Sequence, residues 1–197
     1  MANVVLVDAG GTNIGSVRYA LQRLGVNAML SADAAQIRSA THVILPGVGA
    51  AAPGMARLCE ARLVETLRRL TQPVLGICLG MQLLFERSEE NDAECLGIVP
   101  GAVRHFPQCG NLRVPHMGWN SIRVDKPNRL LDDTATASRA YFVHSYAAPV
   151  GGCTVASANH GQDFSAAIQH ENFFGVQFHP ERSSAFGARV LRNFLAL

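Results

Sequence analysis

The sequence predicts a single α/β domain with a central mixed, mostly parallel sheet flanked by helices. Three observations lead there. In the first half, short apolar runs alternate with stretches of helical spacing, the pattern of parallel strands wrapped by crossover helices. In the second half the pattern changes to a succession of short strands, some amphipathic, which makes the sheet mixed. The chain has 197 residues, 48% of them apolar and 16% charged, enough for one large core with little room for a second.

The elements follow in order. Val4 to Val7 is a continuous apolar run, a strand buried on both faces. Asn13 can cap the next segment, where Ile14, Val17, Leu21 and Leu24 share a helical face until Gly25 stops it. Ala28–Leu30 reads as a short strand, Asp33–Ser39 as a short helix, and His42–Leu45 as a buried strand ended by Pro46-Gly47. Helical spacing runs from about Gly54 to Leu70, with Arg62, Arg68 and Arg69 on its wet side. Val74–Ile77 is a strand and Leu79 to about Arg87 a helix. Ala102–Phe106, Ser121–Val124, Tyr141–Tyr146, Thr154–Ala158, Ala166–Gln169 and Phe173–Phe178 are strands, and Ser184–Leu197 closes the chain as a helix.

Charge and cysteine usage exclude several classes. A net charge of +2 without any basic run does not imply nucleic acid. Cys59, Cys78, Cys95, Cys109 and Cys153 are odd in number, widely spaced and free of CxxC pairs, so neither a disulfide framework nor a structural metal site is expected. Reduced thiols, no signal-peptide pattern and no run long enough to span a bilayer make a cytoplasmic protein the expectation.

Gly76-Ile77-Cys78-Leu79-Gly80 follows a buried strand and opens a helix, the cysteine form of the G-x-S-x-G nucleophile elbow. The glycines allow a sharp turn and clear space around the thiol. The start of a helix favours the thiolate, and the Leu79 N–H is placed to hold an oxyanion. A buried structural cysteine between packing glycines is the bland alternative. Phe174 to Phe178 then reads as a strand ending in His179-Pro180-Glu181. Pro180 pushes His179 into extended backbone, so that Glu181, two residues on, can reach one imidazole nitrogen while the other faces a thiol. That is a base with its orienting carboxylate, as a cysteine nucleophile requires. At another strand end, Gly47-Val48-Gly49 makes an easily rotated peptide, suited to a second oxyanion N–H after a flip. A dinucleotide fingerprint formally fits Gly47-x-Gly49-x-x-Ala52, but the loop is not the first βα turn and Pro53 follows.

These residues carry a resemblance. Cys78-Leu79-Gly80-Met81-Gln82, Pro46-Gly47-Val48-Gly49-Ala50 and His179-Pro180-Glu181 resemble the class I (triad) glutamine amidotransferases. Pro115-His116-Met117-Gly118-Trp119-Asn120 and the segment Tyr141 to Tyr146 look like the glutaminase subunits of imidazole glycerol phosphate synthases, over nearly the whole chain. The resemblance implies one glutamine amidotransferase type-1 domain over residues 1–197, flavodoxin-like in fold, without cofactor or metal. It implies Cys78, His179 and Glu181 as catalytic residues, with Val48, Gly49 and Leu79 at the oxyanion. Glutamine would be held by Gly47, Gln82, Glu90, Ser145 and Tyr146. Ammonia would pass to a (β/α)₈-barrel cyclase in a heterodimer of histidine biosynthesis, docked near Asn13, Ser16, Trp119, Asn120, Tyr141 and Arg182. His116 and His144 are expected to be structural.

The first loop departs from the family pattern, reading Asp8-Ala9-Gly10-Gly11-Thr12-Asn13 without the usual aromatic residue. It resembles the first phosphate loop of actin-like sugar kinases, which need a second subdomain that 197 residues cannot supply. A free cysteine amidase and a non-catalytic binding module are two further rivals. Basal turnover separates the amidase from a partnered enzyme, and the intact triad argues against the binding module.

Overall fold

The computed structural model describes residues 3–8, 14–107, 112–132 and 139–197. Asn13, the rest of the first loop after Asp8, and Cys109 lie outside them. The first half runs β1 (Val4–Val7), α1 (Ile14–Arg23), β2 (Met29–Ser31), α2 (Ala34–Ser39), β3 (His42–Gly47), α3 (Ala51–Glu60), α4 (Val64–Arg68), β4 (Val74–Cys78) and α5 (Leu79–Gln82). The second half runs β5 (Phe85–Ser88), β6 (Ala93–Glu94), β7 (Val99–His105), β8 (His116–Ser121), β9 (Arg123–Val124), β10 (Arg139–His144), β11 (Tyr146–Ala147), β12 (Thr154–Asn159), β13 (Asp163–His170), β14 (Phe173–Val176) and α6 (Ser184–Leu195).

The main sheet has the order β2-β1-β3-β4-β14-β13-β12-β9. Its members from β2 to β14 pair in parallel, and β13, β12 and β9 continue it antiparallel. Successive residues of β1 feed opposite faces, as a period of two demands. Val4 and Leu6 join the layer made with Val17 and Leu21 of α1 and Val190, Leu191 and Phe194 of α6. Val5 and Val7 join the layer made with Ile37 of α2, Leu58 of α3 and Leu67 of α4. Two smaller sheets, β8–β10 and β11-β7-β5-β6, flank this body.

Two helices differ from the sequence expectation. The helical run from Gly54 to Leu70 is two helices, because Arg62 takes φ +56° between them. The helix expected from Leu79 to Arg87 stops at Gln82, and Phe85–Ser88 is a strand instead. There Arg87 and Ser88 pair with β6 and with β7, so long-range pairing overrides the local helical spacing. His116–Ser121, not read as a strand from the sequence, pairs along its whole length with β10.

For function the useful consequence is at one edge of the parallel strands. Gly47, the last residue of β3, is the register partner of Cys78, the last residue of β4, and β14 lies on the other side of β4. Three strand ends therefore bring the glycine loop, the thiol and the His-Pro-Glu turn together, where open α/β sheets hold their ligands.

Candidate active site

Cys78 occupies φ +52°, ψ −111°, between β4 and the first turn of α5. This sparsely populated backbone region marks a strained elbow. The glycines around it are required by close packing. A Cβ on Gly76 would stand 2.7 Å from the Gly80 carbonyl and the Met81 backbone, and one on Gly80 would run into the Leu45 carbonyl. A Cβ on Gly47 would stand 2.8 Å from the Gly80 nitrogen. Leu79 opens α5, where the first N–H groups have no acceptor within the helix.

His179 and Glu181 meet through Nδ1 and Oε1 at 2.8 Å, and both side chains are buried. The contact forms differently from the expected extended segment. His179 is extended at φ −96°, ψ 98°, but Pro180 begins a tight turn through Arg182 that folds Glu181 back onto the ring. The other ring nitrogen, Nε2, is buried without a hydrogen bond of ordinary length. Burial acts to lower the His179 pKa; Cys78, and after it Glu181, outweigh that and raise it to about 10. At neutral pH the ring thus carries its proton, a charge that suits a thiolate beside it.

A cavity of about 420 Å³ opens over Cys78. Its walls include Val48, Gly49, Leu79, Gln82, Glu90, Ser145, Tyr146 and His179, which gathers most of the residues expected to hold substrate. Gly47 stands outside this wall and lines a neighbouring apolar cavity of about 230 Å³ instead, with Val48 and Gly49 exposed to both. Gly49 has φ +97°, open to glycine and costly for other residues.

Individual groups are already partly committed. Glu90 Oε2 accepts the Ala51 N–H at 2.8 Å, capping α3. Both Nε2 hydrogens of Gln82 are used, one on the Tyr146 carbonyl at 2.8 Å and one on Gln177 Oε1 at 3.0 Å, so its carbonyl oxygen is what it can offer. The Ser145 carbonyl accepts Phe106 N–H, and that of Tyr146 also accepts His144 Nδ1–H, so these carbonyls build the wall.

Two buried residues escaped sequence reasoning. Ser183 Oγ donates to the His179 carbonyl at 2.7 Å and accepts the Tyr141 N–H at 3.0 Å, clamping the turn to β10. Gln177 Nε2 points at Cys78 Sγ from 3.7 Å. Gln177 could have been found by its position two residues before His179 in a strand, on the same side; Ser183 carries no such signal.

Three of the expected docking residues, Trp119, Tyr141 and Arg182, form a patch beside the cavity. Trp119 is 47% exposed and meets the Tyr141 ring edge-on at 6.2 Å, while the Arg182 guanidinium lies 5.0 Å over that ring. Asn120 is half-buried on the same strand, and Ser16 is exposed on α1, which packs against the Pro180–Arg182 turn. Among the described residues no cluster of His, Cys, Asp and Glu could hold a metal ion, and no helix is long and apolar enough to cross a membrane.

The model of the class-I glutamine amidotransferase family matches residues 5–197. The imidazole glycerol phosphate synthase subunit HisH of Xanthomonas axonopodis pv. citri (strain 306) is 56% identical over 197 residues, covering 100% of this chain and 98% of that protein. The subunit of the same name from Xylella fastidiosa (strain Temecula1 / ATCC 700964) is 54% identical with the same coverage. Among solved structures, a GMP synthase subunit protein from Thermoplasma acidophilum superimposes with a TM-score of 0.77 at 19% identity, covering 100% of this chain and 93% of that one. A glutamine amidotransferase structure gives 0.75 at 18% identity, covering 98% of each. At such identities these two speak for the fold alone.

Proposed function

The chain belongs to the class-I glutamine amidotransferase family, and on that premise we propose that it is the glutaminase subunit of an imidazole glycerol phosphate synthase, serving histidine biosynthesis. The observation that carries the chemistry is the meeting of Cys78 and His179 in one cavity at the strand ends, with Glu181 hydrogen-bonded behind the imidazole.

In this reading the Cys78 thiolate attacks the side-chain carbonyl carbon of glutamine. The N–H groups of Leu79 and of the Val48–Gly49 loop stabilise the oxyanion, and loss of one such donor typically costs on the order of 10²–10³ in rate. As the C–N bond breaks, protonated His179 gives its Nε2 proton to the leaving nitrogen, releasing ammonia and a thioester. Neutral His179 then takes a proton from water, whose oxygen attacks the thioester and frees glutamate and the thiolate. Glu181 keeps the ring oriented throughout and stabilises its charge. Glu90 Oε1 and Gln82 Oε1 are the acceptors suited to the ammonium and amide hydrogens of glutamine.

HisH is named as a subunit in the relatives, and a partner subunit follows for this chain. We assign that partner as a (β/α)₈-barrel cyclase in a cytoplasmic heterodimer, using the ammonia to form imidazole glycerol phosphate and aminoimidazole carboxamide ribotide. Its docking face would be the Trp119–Tyr141–Arg182 patch with Ser16, Asn120 and, beyond the described residues, Asn13.

The test is glutamate release by the chain alone, then with a barrel cyclase and its nucleotide ligand. Activation that disappears in Cys78→Ala supports the reading. Equal turnover without partner would leave a self-sufficient amidase, and no release in either condition would refute the glutaminase assignment.

A further inference from the structure

Gln177 has no part in the chemistry above, yet it is fully buried and both ends of its amide are committed. Its Nε2 donates to Cys78 Sγ at 3.7 Å, and its Oε1 accepts from Gln82 Nε2 at 3.0 Å. Gln82 gives its second N–H to the Tyr146 carbonyl, which also receives His144 Nδ1 at 2.9 Å. His144 Nε2 lies 3.0 Å from His116 Nδ1, and His116 Nε2 lies 3.2 Å from Asn120 Nδ2. Asn120 is anchored in turn, donating to the Asn159 carbonyl and accepting the Ser121 N–H, each at 2.8 Å.

This hydrogen-bonded series has one proton arrangement. A carbonyl only accepts, so His144 holds its hydrogen on Nδ1 and leaves Nε2 as an acceptor. His116 must then donate through Nδ1 and accept from Asn120 at Nε2. Burial pushes both rings down, His144 to about 3 and His116 to about 4, so each carries a single N–H at neutral pH. At the other end the Tyr146 carbonyl fixes the orientation of the Gln82 amide. Gln82 must offer N–H to Gln177, and Gln177 can then present only N–H to the sulfur. The competing neighbour of the thiol is the Val143 carbonyl, 3.9 Å from Sγ, an acceptor that suits S–H. Gln177 suits S⁻.

We infer that Gln177 is a positioning residue for the nucleophile, its amide N–H locked by Gln82 and the Tyr146 carbonyl so as to hold the Cys78 sulfur as an aimed thiolate. The inference rests on Cys78 being the nucleophile proposed above.

The test is the pH profile of Cys78 alkylation by iodoacetamide in the full-length chain, followed at the Cys78 peptide by mass spectrometry. Gln177→Met removes the donor at similar volume. It should shift the alkylation profile about one pH unit toward alkaline, slow alkylation at neutral pH, and lower kcat more than KM. A folded Gln177→Met chain alkylated on the wild-type profile would overturn the inference. Should that variant not fold, Gln82→Met removes the donor to Gln177 Oε1 and with it the lock on that amide's orientation. A profile shifted in the same direction supports the inference, and an unmoved one overturns it. Alkylation does not depend on turnover, so failure here is distinct from glutaminase activity surviving in Cys78→Ala, which would defeat the functional reading itself.

Discussion

His179 Nδ1 lies 2.8 Å from Glu181 Oε1, with the two side chains 3% and 0% exposed. Two groups removed from water at that distance fix one another's orientation, and the carboxylate favours the protonated ring. Glu181→Gln keeps the shape and removes the charge. The expected result is a fall in kcat on the order of 10²-fold with KM much less affected, read as glutamate release at saturating glutamine. A variant with wild-type kcat would reduce Glu181 to a packing residue.

Cys78 at φ +52° predicts an inverted ranking of two inactive variants. Glycine within a strand ordinarily costs roughly 0.5–1 kcal/mol relative to alanine, whereas this backbone region costs a residue with a Cβ about 1–3 kcal/mol. Cys78→Gly is therefore expected to melt at or above Cys78→Ala, with no turnover in either. Thermal melts of the two purified variants decide it.

The proposed triad was legible because its members sit in short strings whose local chemistry is self-contained: glycines flanking a thiol after an apolar strand, and a proline between a histidine and a glutamate. The parallel half of the sheet was legible from the same alternation. Other features depend on pairing between distant segments. Residues 83–88 fit a helical face as well as a strand until β6 and β7 pair with them, and Gln177 meets a residue 99 positions away. Glu181 was expected to reach His179 along extended chain, yet the turn at Pro180 makes the contact. Ser183 could be recognised only once β10 lay against that turn.

Ser183→Ala tests that clamp. The change removes the bond to the His179 carbonyl and leaves the Tyr141 N–H without its acceptor, a loss of roughly 1–3 kcal/mol. Chemical denaturation should show a lower midpoint at unchanged slope, and kcat should drop as the histidine loses its fixed position. Unchanged stability would mean that water replaces the hydroxyl without cost.

His116 and His144 predict sensitivity to acid. Both are held neutral in the fold, chiefly by burial, with pKa values of about 4 and about 3. Unfolded, each titrates near 6.5, so between that pH and the folded values the unfolded chain binds more protons. Their stabilising contribution is complete above about pH 6.5 and is lost as pH falls toward 4, at no more than about 1.4 kcal/mol per pH unit for each ring. The groups that face them include His160, stacked on His116, and protonated His179 near His144. Melting points from pH 7 to pH 4 should fall, with a shallower slope in His144→Gln. Parallel slopes would place the acid sensitivity in other groups.

Trp119→Ala tests the proposed docking face. In β8 its register partner is Tyr141 of β10, which the Arg182 guanidinium covers, so an exposed indole stands beside a cation–π pair at the cavity mouth. Nearly half of the indole is exposed, so truncation should cost the isolated fold less than about 1 kcal/mol. A buried aromatic anchor at an interface is worth about 2 kcal/mol or more. Trp119→Ala should therefore melt like the wild type yet bind the barrel cyclase at least about tenfold more weakly by titration calorimetry. The activated glutaminase rate should recover at higher partner concentration, because the triad is untouched. Undiminished affinity would move the interface away from β8 and leave the Trp119–Tyr141–Arg182 patch as a surface feature with no part in docking.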